Sequence, residues 1–164
     1  MHYPDLEAMI KDSADALSKG TVAIVMVEDD VEIATTLRHH QQAGFNPIVA
    51  LMPRSFALPR DLAAAVLRVD YNMSEDHAME TAVNRIIDAA PGQWMYYCYN
   101  AEYLFHPFCE TRNVNELLAF SRADRRECGE SGEDDGSDEL GQGEIGVEAT
   151  ELLLGFGAAQ DPVE

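Results

Sequence analysis

Carboxylates and one amide stand directly after apolar runs in this chain. Glu28, Asp29 and Asp30 follow T-V-A-I-V-M-V, residues 21–27. Asp70 follows V-L-R-V, residues 66–69. Asn100 and Glu102 follow W-M-Y-Y-C-Y, residues 94–99. If these runs are parallel strands, the polar groups share the C-terminal edge of one sheet, where open α/β sheets bind ligands. Carboxylates gathered there can hold a hard divalent cation and a nucleotide-sugar. Glu28, Asp29, Asp30, Asp70 and Glu102, with Asn100 beside Glu102, are the candidates for such a site. The plainer reading is that acids at strand ends cap helices or lie solvated in loops.

Other chemistries find less support. No G-x-G-x-x-G follows the first apolar run, and there is no P-loop. No G-x-S-x-G elbow is present. Adjacent residues on a helix point about 100° apart, so His39 and His40 cannot both face one metal. One should pack and the other be solvated. Arg122, Arg125 and Arg126 stand near the end of an expected helix, where they complement its C-terminal dipole. No residue is assigned as catalytic.

The elements that must position these groups follow from periodicity. Residues 5–19 carry Leu6, Met9, Ile10, Ala14 and Leu17 at helical spacing, with Gly20 as the stop. Residues 21–27 form a buried strand, as do Pro47 to Met52 and Trp94 to Tyr99. Between the first two, Asp29 or Asp30 caps a helix that places Ile33, Ala34, Leu37 and His40 on one face and ends at Gly44. A short helical turn near 61–65 leads into a strand over 66–69. Ser74 caps a helix over 75–90, which Pro91-Gly92 ends. Residues 114–126 are helical through Val114, Leu117, Leu118 and Phe120. Strands alternating with helices predict an α/β fold with an open, mostly parallel Rossmann-like sheet and helices on both faces. Trp94, opening the aromatic strand, is expected to be buried.

At 164 residues, 46% of them hydrophobic, the chain suits one domain with a single core. The net charge of −19 argues against nucleic acid as a partner. Residues 128–164 hold 11 of the acids, eight of the glycines and neither Lys nor Arg. That composition predicts a domain over 1–127 and a disordered acidic tail over 128–164, with a transient helix over Glu148 to Phe156. The three cysteines have neither metal-ligand nor disulfide spacing, which suits a reducing compartment. No signal peptide or membrane-length apolar run is seen, so the cytoplasm is the expected location and no integral membrane segment is expected.

The order V-A-I-V-M-V-E-D-D (22–30), L-R-H-H-Q-Q-A-G-F-N-P-I-V-A-L (37–51), W-M-Y-Y-C-Y-N-A-E-Y-L-F-H-P-F (94–108) resembles a known family. It is similar to the N-terminal, nucleotide-sugar-binding half of family 2-like glycosyltransferases with the GT-A fold. The likeness is greatest to a bacterial subgroup carrying Y-N-A-E-Y-L-F-x-P-F-C-E-x-R, here Tyr99 to Arg112. It spans about residues 3–127. The resemblance implies that acids after the first strand, Glu28 and Asp29, hold the nucleoside. It also implies a D-x-D that holds the diphosphate and a metal, Mn2+ or Mg2+, a role that falls here to Glu102 and Asn100. Asn100-Ala101-Glu102 stands there with one acid. Under a second alignment Tyr99 and Ala101 replace both aspartates and Glu102 alone survives.

Residues from 128 onward do not resemble the acceptor-binding half that completes such enzymes. The resemblance therefore implies either a transferase with an unknown acceptor or a truncated, non-catalytic remnant that serves as a binding module. A receiver domain of the response-regulator kind would also place E-D-D after its first strand. It needs a Lys near the last strand, and no Lys follows Lys19.

Overall fold

The computed structural model describes residues 1–129 and 156–158, with side chains through residue 121. In chain order the elements are β1 (His2–Tyr3), α1 (Leu6–Leu17), β2 (Val22–Met26), α2 (Ile33–Gln42) and β3 (Ile48–Met52). Then come β4 (Val66–Asp70), α3 (Ala78–Ala89), β5 (Trp94–Tyr99), α4 (Val114–Gly129) and β6 (Phe156–Ala158). The strands form one sheet in the order β1-β4-β3-β2-β5-β6. All neighbours are parallel except β6, which runs antiparallel to β5. This is an open, mostly parallel, Rossmann-like α/β sheet.

Side-chain alternation along the strands divides the core into two layers. On one face Ala23, Val25, Ile48, Ala50, Tyr96 and Cys98 pack against Ile33 and Leu37 of α2 and Val114 and Leu118 of α4. On the other face Val22, Ile24, Met26, Val49, Leu51 and Met95 pack against Met9 and Leu17 of α1 and Ala82 and Ile86 of α3. Every residue of β2 and β3 is buried, as expected of parallel strands covered on both faces. Among the described residues no helix is long and apolar enough to cross a membrane.

The helix starts differ from expectation. Asp5 caps α1, its carboxylate accepting from the Ala8 N–H at 2.8 Å. Neither Asp29 nor Asp30 caps α2, which begins after Glu32 with no side-chain cap. Asp29 instead accepts from Val31 N–H at 3.0 Å, an Asx turn that satisfies the loop before the helix. Likewise Ser74 does not cap α3. That helix begins after His77, itself left-handed at φ 58°, because the turn over 74–77 delays it.

Other differences lie at the sheet edges. Strand β1 is too short to show alternation, and its register with Arg68 and Val69 fixes it beside β4. Trp94 is half-buried rather than buried, because it sits at the open N-terminal end of β5 and packs against one core layer only. Helix α4 runs to Gly129, and Phe156–Ala158 form a strand beside Trp94 to Tyr96. The rest of the expected tail, 130–155 and 159–164, lies outside the described residues, as does the expected helix up to Phe156. The Arg122, Arg125 and Arg126 side chains lie outside them too.

Candidate functional site

The strand order reverses about β2. The chain moves outward from β2 to β3 and β4, then returns to lay β5 on the opposite side of β2. The loops leaving β2 and β5 both lead to helices on one face, α2 and α4, so they run side by side at this switch point, on the carboxyl edge where such sheets bind ligands. The sequence places Glu28, Asp29 and Asp30 on the first loop and Asn100 and Glu102 on the second. The backbone bond from Asn100 N–H to Met26 O, 2.9 Å, brings the two loop starts level.

Asn100 joins the loops. Its Oδ1 accepts from Glu28 N–H at 3.0 Å. Its Nδ2 donates to Asp29 Oδ1 at 2.6 Å and to Val31 O at 2.9 Å. Two further ties run beside it. Ala101 N–H donates to Thr36 Oγ1 at 2.9 Å, and the Tyr103 hydroxyl donates to Glu32 Oε2 and lies 3.1 Å from Thr35 Oγ1. Glu32 and Ala101, at φ 54° and 65°, hold left-handed conformations where the loops meet. Such backbone is sparsely populated by residues other than glycine. Nothing in the spacing announced Glu32, Thr36 or Tyr103, because each tie crosses 65 residues or more.

Glu102 turns back on its own strand, with Oε2 accepting from Tyr99 N–H at 2.7 Å. Glu28, Asp29, Asp30 and Glu102 are all exposed. The residues present fit a resident metal poorly. Among the described residues no three of His, Cys, Asp and Glu are close enough together to hold one. Asn100 Oδ1, the neutral oxygen on offer, accepts from Glu28 N–H with one of its two lone pairs.

Asp70 stands apart from these groups. It ends β4, and β3 lies between β4 and β2, so two strand spacings, roughly 10 Å, separate it from the Glu28 loop. Its carboxylate meets His2 Nε2 at 2.8 Å, an Arg68 guanidinium nitrogen at 3.4 Å and Arg54 Nε at 3.8 Å. Those contacts tie β1 to β4, so Asp70 shares the sheet edge without joining the switch point.

A second polar group is sealed in the core below the crevice. His40 Nδ1 lies 2.8 Å from Thr36 O and can only donate there. Nε2 is then the acceptor, and Cys98 Sγ, 3.7 Å away, donates to it. The Tyr96 ring stacks on the imidazole at 5.3 Å. Burial pushes the Cys98 thiol up to about 12. Burial also lowers the His40 pKa and raises that of Tyr96. A thiol held protonated is a poor nucleophile, and both Cys98 and His40 are packed inside the core layer under α2. His39 is half-buried and meets Leu104 O at 2.8 Å, so the two histidines divide as expected into one fully packed and one partly solvated.

At the opposite end of the sheet, Lys19, Thr21, Gln93, Trp94, Asn115 and Leu118 line a cavity of about 250 Å³. It lies beside the N-terminal ends of β2 and β5, away from every carboxylate singled out by the sequence. No family model, no curated protein and no solved structure matches this chain.

Proposed function

We propose that the chain binds a nucleotide-sugar at the β2–β5 switch point and acts as a family 2-like glycosyltransferase toward an acceptor still to be identified. One observation carries the reading: the loops bearing Glu28 and Asp29 and the loop bearing Glu102 converge where the strand order reverses. In this reading Glu28 and Asp29 accept hydrogen bonds from the nucleoside hydroxyls. Glu102 would face the diphosphate, and Mn2+ or Mg2+ would be held by Glu102 together with the nucleotide's own oxygens. The cation would offset the diphosphate charge beside these acids. Asn100 is engaged in tying the two loops together, and Asp70 is engaged by His2 and Arg68.

Displacement at the anomeric carbon needs an acceptor hydroxyl and a general base, and no described residue is placed as that base. The second reading is a binding module without transfer. Its support is the neutral Asn100 and the single acid, Glu102, where the family pattern has two aspartates.

Calorimetry of the full chain with UDP and GDP, with and without Mn2+, tests the proposal. Binding should appear with the cation present and weaken at least tenfold in Asp29→Ala. Equal binding by Asp29→Ala would place the nucleotide elsewhere. No binding under any of these conditions would count against the transferase and leave a non-catalytic remnant of the fold. Binding without release of UDP from a UDP-sugar would favour the binding module.

A further inference from the structure

We infer that Asn100 is a positioning residue, a neutral latch that fixes the Glu28–Val31 loop against the end of β5 and requires an amide. The orientation of that amide is not arbitrary. Glu28 N–H can only donate, so the oxygen of Asn100 must face it. Val31 O and the Asp29 carboxylate can only accept, so the nitrogen must face them. All three partners agree on one orientation. The two N–H groups of the amide and one carbonyl lone pair are used at once, which no other side chain of this size reproduces.

A carboxylate in the same place would put its charge against Asp29 and leave Val31 O without its donor. The aspartate that the family pattern places at the start of D-x-D is therefore incompatible with this loop. The neighbouring charges sharpen the point. Asp29 brings its carboxylate to Asn100 from the β2 loop, Glu28 follows β2 on the same loop, Glu32 precedes α2, and Glu102 lies two residues after Asn100. Tyr103 donates to Glu32, and His39 packs on the Tyr103 ring at 5.1 Å. Among the described residues no ion pair brings a cation to these carboxylates.

The test needs no nucleotide, so its outcome is independent of the proposed function. Asn100→Asp, Asp29→Asn and the double exchange are compared with the parent by thermal unfolding at pH 7.5 and pH 5. Asn100→Asp should melt about 5 °C lower at pH 7.5, a shift expected of a modest stability loss in a chain of this size. Repulsion from Asp29 raises the folded pKa of the introduced carboxyl above its unfolded value. Its stability is then greatest below the unfolded pKa and lost as pH rises through the folded one. The deficit should therefore be smaller at pH 5, where more of the introduced carboxyl is protonated and can again donate. The double exchange restores one amide–carboxylate pair and should recover at least half of the deficit at pH 7.5. A deficit equal at both pH values and unrelieved by the exchange would overturn the latch. So would an Asn100→Asp protein as stable as the parent at pH 7.5.

Discussion

Replacing His40 with Ala should destabilise the chain by about 3 kcal/mol, within the range for large-to-small changes in a packed core. His40 has no exposed surface. It touches Phe45, Tyr96 and Cys98, so its loss opens a void between α2 and β5. It also leaves the Cys98 thiol without its acceptor, an added cost for a buried polar group. The same residue should govern acid sensitivity. Burial holds its folded pKa below the ordinary histidine value of 6.5. The unfolded chain therefore takes up a proton more readily than the folded one. The stability from neutral His40 is full above about pH 6.5 and is lost as pH falls toward the folded pKa. Urea unfolding at pH 7.5 and 5.5 checks both statements. The parent should lose stability between the two, and His40→Ala should lose less.

Gly20→Ala should cost about 2 kcal/mol, the scale of overpacking in a filled site. A β-carbon on Gly20 would overlap the backbone carbonyl oxygen of Asn46. That oxygen is no flexible side-chain tip that can swing away. It belongs to the segment entering β3, and Asn46 N–H donates to Thr21 O at 3.0 Å. Relief of the overlap must therefore separate the starts of β2 and β3, two strands without exposed residues. Urea unfolding of Gly20→Ala beside Gly92→Ala separates this close approach from the general loss of a glycine. The second site has nothing within 4 Å of the added carbon, so its cost is the left-handed backbone alone, at φ +77°.

The layers of this fold are legible in the sequence because its strands are unambiguous. V-A-I-V-M and I-V-A-L-M are apolar at every position, which parallel strands covered on both faces require. The helices α1, α2 and α3 show their buried stripes at spacings of three and four. Their caps are less legible, because several Asp and Ser residues compete near each start and loop geometry decides among them. Asp29 spends its carboxylate on a loop turn, and His77 begins α3 without a cap.

The placement of Glu28, Asp29 and Glu102 on one edge follows from parallel strands alone. Which acids meet depends on strand order, which periodicity does not encode. That is why Asp70, equally placed after its strand, stands two strands from the others. The role of Asn100 was hidden for a related reason. Its partners lie about 70 residues earlier, and only the pairing of β5 with β2 brings them within hydrogen-bond reach.

Amide chemical-shift mapping tests the location of the site most directly. The ¹⁵N-labelled full chain is titrated with UDP and with GDP in the presence of Mg2+. The largest shifts are expected at Glu28 to Val31 and at Asn100 to Tyr103, on the two loops at the switch point. The amides of Asp70 and Tyr71, on the same edge beyond β3, should move little. Shifts centred instead on Lys19, Thr21, Gln93 and Trp94 would place the ligand in the cavity at the opposite end of the sheet and contradict the assignment.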